Sequence, residues 1–210
     1  WKNALLVDPR VKAPPPEVDK PYDKAPEPQP IPEREQKMLA AFDVYINYIK
    51  DPKDDELVGM KFLKANMYRR YNDFDKALPL FEEILVKHKE HETAEFSANL
   101  LLDSLNRLQR YEEMLVWVDK LVDDKKFLEG KDSLVSRLEY LKRQSLRKAA
   151  EKCAVDAKAG SEFAKYISCA KLYIEIFNRE PDGEGSDEVL WNAGVNFEEG
   201  KSSAAVASSG

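Results

Sequence analysis

The sequence predicts an all-α chain of stacked helical hairpins, and three observations carry that prediction. Apolar residues recur at steps of three and four from residue 33 onward, the spacing that gathers side chains on one helical stripe. Glycine is scarce, at 8 of 210 residues, and no Val/Ile-rich alternating segment is present. Lys, Glu, Leu and Ala dominate instead, all of which favour helix over sheet. A helix–corner–helix pattern over Glu56–His88 then returns thirty-seven residues later, with Tyr111 in the place of Phe74. A recurrence near that length points to stacked helical pairs and one continuous array.

Residues 1–32 hold nine of the twelve prolines, with equal numbers of acids and bases, so the spacing predicts a proline-rich extended arm or linker without helix or strand. Such a segment can also serve as a ligand for an aromatic-lined proline-reading domain. Trp1, Leu5, Leu6 and Val7 are too apolar for a bare spacer and are expected to dock on the body or on whatever precedes it. Because the chain opens on Trp1 rather than Met, any targeting signal is out of view.

The helical body is expected over 33–200. From Glu33, the residues Met38, Phe42, Tyr45, Ile46 and Ile49 form one face of a capping helix that Asp51-Pro52 stops, and Asp54 or Asp55 can cap the next helix. Glu56–His88 reads as a hairpin turning at Tyr71-Asn72-Asp73. Its second helix buries Phe74, Ala77, Leu78, Phe81, Ile84 and Leu85, and carries Pro79 one turn in. The segment FSANLLLDSLNRLQRYEEMLVWVDKLV is a second copy. Ser133 to Lys158 then has no internal breaker, predicting one long helix ended by Gly160, with a returning helix up to Pro181. DEVLWNAGVNFEEGKS is half of a further pair, and residues 201–210 read as a flexible tail or as the scar of a truncation.

The first hairpin resembles the tetratricopeptide repeat (TPR). Its small-residue slot and aromatic-x-x-Ala-x-x-x-aromatic order are filled by Ala65, Tyr68, Phe74, Ala77, Phe81 and Leu85. In the second copy Met114 takes the small slot and Val118 the second aromatic one. The half-repeat near the end offers Ala193, Gly194 and Phe197. The resemblance implies a right-handed helical-hairpin solenoid. It also implies a partner-binding groove lined by the first helix of each pair, here Phe62, Asn66 and Arg69, then Phe96, Asn99, Asp103 and Asn106, with Trp191 in the half-repeat. Phe62 stands where the carboxylate-gripping members of the family have lysine, which makes an internal segment the expected ligand. The wording YIEIFNREPDGEGSDEVLWNAGVNFEE is similar to TPR proteins of bacterial cell envelopes, including those of the myxobacterial gliding-motility machinery.

A net charge of −6, with Lys and Arg interleaved among acids, argues against nucleic acid as the partner. No apolar run approaches the length of a membrane span. His88 and His91 stand three apart and could clip a metal, but Glu95 occupies the position where His-Glu-x-x-His needs its second histidine. The alternation Asp182, Glu184, Ser186, Glu188 departs from a calcium loop at Asp187 and Ala193, so it reads as a capped turn. Cys153 and Cys169 flank Gly160, where they can be small buried contacts or a disulfide. With two neighbouring histidines there is no independent base for a triad, and neither metal nor cofactor is expected. The function that follows is a non-enzymatic scaffold for protein partners, periplasmic or in the cell envelope. The alternatives are an outer-membrane assembly lipoprotein of similar repeat type and a substrate-recruiting regulatory domain of a larger enzyme.

Overall fold

Helix boundaries follow the breakers and caps of the sequence closely. In the computed structural model, residues 25–49, 51, 54–160, 163–183 and 185–208 are described, and they form α1 (Glu33–Tyr48), α2 (Asp55–Arg70), α3 (Phe74–Lys87), α4 (Ala94–Arg107), α5 (Tyr111–Asp123), α6 (Lys125–Leu128), α7 (Asp132–Gly160), α8 (Phe163–Arg179) and α9 (Ser186–Ser208). Among these residues there is no strand. The chain divides into two compact units, Trp1–Arg110 with Asp124–Glu129, and Tyr111–Asp123 with Gly130–Gly210.

In the first unit α1 packs on α2, α2 on α3 and α3 on α4. Leu39 and Phe42 of α1 meet Met67 of α2, with Ile31, Met38, Ile46, Tyr68 and Tyr71 around them. The Asp54 carboxylate accepts the Leu57 N–H at 2.9 Å, which satisfies one of the free donors at the start of α2. Helix α3 runs through Pro79 and buries the six residues that its stripe predicts. Helix α4 is buried almost all round, so Ser97 and Ser104 turn their hydroxyls back onto the carbonyls of Thr93 and Leu100 rather than leave them unpaired. The short α6 is capped by Asp124, whose side chain also pairs with Lys89 in the loop after α3.

The corner between α2 and α3 is built twice. Asn72 adopts φ 59° and Gln109, thirty-seven residues on, φ 56°. At the first corner the N–H of Asn72 bonds to Arg69 C=O and that of Asp73 to Tyr68 C=O. At the second, Gln109 bonds to Asn106 and Arg110 to Leu105, each partner displaced by the same interval. Both satisfy helix-end carbonyls through a left-handed residue, a conformation Asn adopts more readily than Gln. The periodicity seen in the sequence is therefore present in backbone hydrogen bonding and not only in residue type.

The second unit is built differently. The 29-residue α7 packs on both α5 and α8, and α8 on α9. Leu146 and Ala150 of α7, Tyr173 and Ile176 of α8, and Val189 and Ala193 of α9 form its core. At Gly200 an added Cβ would lie 3.3 Å from the Tyr166 side chain, so the missing side chain is what lets α9 approach α8. Cys153 and Cys169 are joined as a disulfide with their Cα atoms 5.4 Å apart, the option that the sequence left open beside two free buried residues.

The array divides at Arg110 and Tyr111, within the pair of helices that the repeat spacing groups together. Toward the end of the chain α9 continues from its amphipathic start through Ser208. The reason is local: Ala204, Ala205 and Ala207 are strong helix formers and no Gly or Pro interrupts 201–208. Residues 1–24, including the docking segment expected at Trp1 to Val7, lie outside the described residues, whereas 25–32 contain neither helix nor strand.

Candidate partner-binding surface

The residues expected to line a groove in the first unit come from one face each of α2 and α4, because 62, 66 and 69, like 96, 99, 103 and 106, are spaced by three and four. The structure brings these two faces together. The rings of Phe62 and Phe96 lie 6.4 Å apart, and Phe62 also meets Phe81 of α3 at 6.1 Å, both pairs tilted as aromatic quadrupoles prefer. Asp103 accepts from Arg107 Nε at 2.9 Å and pairs with Arg69 Nη1 at 3.6 Å, so α4 and α2 share a carboxylate that is almost wholly buried.

Burial varies across the set. Phe62, Asn66, Asp103 and Asn106 are buried, Phe62 to 1% exposure, while Phe96 and Asn99 are half-buried and the Asn99 amide donates to Glu95 C=O. Trp191 belongs to the second unit and is 73% exposed on α9, beside exposed Leu190 and Val195. The Asn66 side-chain oxygen is buried without a hydrogen-bond partner, a state that costs about 1–3 kcal/mol.

Next to this face, Lys61 of α2 bonds Glu83 of α3 at 2.9 Å, and Lys87 bonds the same carboxylate at 3.2 Å. Burial raises the Glu83 pKa, but the two ammonium groups outweigh it and hold the carboxyl below its ordinary range. The His88 pKa is lowered, first by burial and then by the charge of Lys61. His91 is engaged at both ring nitrogens, with Thr93 N–H donating to Nδ1 and Nε2 lying 3.1 Å from Asp55 C=O. Among the described residues no group of three or more His, Cys, Asp or Glu side chains is placed to hold a metal, and no helix is long and apolar enough to cross a membrane.

Sequence reasoning missed a second surface, at the α2–α3 corner, where residues 27–31 lie against Tyr71 and Asn72. The signal in the sequence is the Pro26-Glu27-Pro28-Gln29-Pro30-Ile31-Pro32 alternation, whose prolines stiffen the backbone while its odd positions keep their donors and acceptors. Compared with family models, curated proteins and solved structures, the chain matches none.

Proposed function

We propose that the chain is a TPR-like, non-catalytic scaffold that holds protein partners within a larger bacterial assembly, through the face of α2 and α4 and through Trp191. The observation that carries this reading is the doubled corner at Asn72 and Gln109, a repeat of backbone geometry that a helix-pair array requires. The polar face fits an extended internal segment. Half-buried Phe96 and Asn99 are its accessible side chains in the first unit, and exposed Trp191 supplies apolar area in the second. The cystine supports a periplasmic or envelope location, since such bonds persist in oxidising compartments. Residues 1–32 act in this reading as the extended arm that spaces or tethers the solenoid.

The test is affinity capture from the native source with the wild-type chain and with a Phe96→Ala, Asn99→Ala, Trp191→Ala variant whose circular dichroism is unchanged. These three side chains are the accessible members of the set, so their loss removes contact area without opening the buried ion pair. Loss of specific partners is expected. Recovery of the same partners at the same yield sinks the proposal.

A further inference from the structure

The α2–α3 corner carries a contact that hairpin packing does not require. Gln29 N–H donates to Tyr71 C=O at 2.7 Å, a carbonyl at the end of α2 that lacks an intrahelical donor. The Asn72 amide donates to Glu27 C=O at 3.1 Å, and the Gln29 side chain donates to the same oxygen at 3.2 Å. Ile31 packs against the cluster that Leu39 and Phe42 of α1 form with Met67 of α2, and its C=O accepts from Gln36 Nε2 at 2.7 Å. Contacts therefore fall on residues 27, 29 and 31. The intervening positions 28 and 30 are prolines, which have no N–H to lose and which hold the backbone extended.

We propose that this corner is a binding site for an extended Xaa-Pro-repeat segment with an aliphatic residue at its last Xaa, and that residues 27–31 fill it in cis. Two features are read from the backbone, the acceptor of the first Xaa and the donor of the second. One feature is read from a side chain, the aliphatic group that enters between α1 and α2. The ligand pays little to order, because alternate prolines already fix it near the bound conformation. The cis segment enjoys the high effective concentration of a tethered ligand, so a proline-rich segment of another chain gains access only when the tethered one is released. Tyr71 is fixed for this task through its hydroxyl bond to Glu35 of α1. Asn72 is positioned by its left-handed backbone.

The experiment uses the full chain in two forms, wild type and a released form carrying Gln29→Pro and Ile31→Ser, which removes the donor and the aliphatic anchor. The probe is a fluorescein-labelled peptide, Ala-Pro-Glu-Pro-Gln-Pro-Ile-Pro-Glu, followed by anisotropy, with a control peptide bearing the same two changes. Saturable binding to the released form is expected, at least tenfold weaker binding to wild type, and none of the control. Adding Asn72→Gly to the released form keeps a residue tolerant of positive φ while deleting the amide, and should weaken binding about fivefold, the size of one hydrogen bond. Absence of saturable binding, equal binding of both peptides, or equal affinity for both forms overturns the proposal. An independent reading comes from hydrogen exchange in the unaltered chain. The Gln29 amide should be protected and should exchange about fivefold faster in Asn72→Gly, whereas an unprotected Gln29 amide in the wild type contradicts the site.

Discussion

The two units solve the same problem, burying one stripe of each helix, with different chemistry. The first relies on large rings and a shared buried carboxylate: Phe62, Phe81 and Phe96 meet in one cluster, and Asp103 is held between Arg69 and Arg107. The second sets Leu146, Tyr173, Ile176 and Val189 among small residues such as Ala150, Ala193 and Gly200, which let its helices approach closely, and adds one covalent bond. Bulky aromatics gain much from burial but fix helix spacing by their shape, so they go with regular repeats. Small residues allow helices of unequal length, such as the 29-residue α7 against the 17-residue α8, to lie along one another.

The largest expected effect tests the aromatic side of this contrast. Phe81→Ala should cost about 4 kcal/mol, because the ring is fully buried and its removal leaves a cavity beside Phe62. Urea unfolding checks it, and hydrogen exchange should show the loss concentrated in α2 and α3. A loss below about 1 kcal/mol would mean that the cluster is not the centre of the first unit.

Next comes the covalent side. Cys153→Ser with Cys169→Ser should destabilise the second unit by about 3 kcal/mol, the loop-closure value for a cross-link spanning 16 residues. Thermal melting should show a transition that falls in the double variant and under reductant. If the melt of the oxidised protein is indifferent to both, the bond does not hold α7 to α8.

Ala77→Leu sharpens the register of the first hairpin. Ala77 and Ala65 are both wholly buried, so extra methyl groups there overpack the α2–α3 contact at a cost of about 2 kcal/mol. An unchanged urea midpoint would displace Ala77 from that contact.

The smallest effect is electrostatic and belongs to the first unit. The folded-state pKa of His88 is lowered, so near pH 6 the unfolded chain binds more protons than the folded one, and stability falls as pH drops from about 7.5 to 5.5. Glu83, also lowered in the folded state, adds a separate loss below about pH 4.5. Replacing His88 by Asn should flatten the upper slope of the urea midpoint and leave the lower one. A slope that survives the replacement assigns the upper window to another group.

Much of this architecture was legible in the sequence because helical signals are local. Asp54 as a cap, the Tyr71–Asp73 corner, the burial stripe of α3 and the length of α7 each follow from residues within one or two turns. What escaped depends on contacts distant in sequence. The division at Arg110 is set by which helices touch, a property that no periodicity encodes. The candidate face shows the same limit. Spacing groups 62, 66 and 69 on α2 and 96, 99, 103 and 106 on α4, yet it could not tell that Asp103 would sink between two guanidiniums while Asn99 stayed half-open. Helix persistence through Ser208 was missed because an Ala/Ser run has no apolar stripe to announce it, although its propensity is high.

The position of the cystine along α7 and α8 has a mechanical consequence. The two helices are joined at the Gly160 end, and the sulfur bridge lies near that closed end, with the open end at Asp132 and Arg179. A force drawing Asp132 from Arg179 would peel the pair from the open end and load the bridge last. The bond is thus a stop rather than a latch. Stretching the oxidised chain would fall short of the reduced one by the segment between Cys153 and Cys169, a sequence separation of 16, or about 50 Å of contour length.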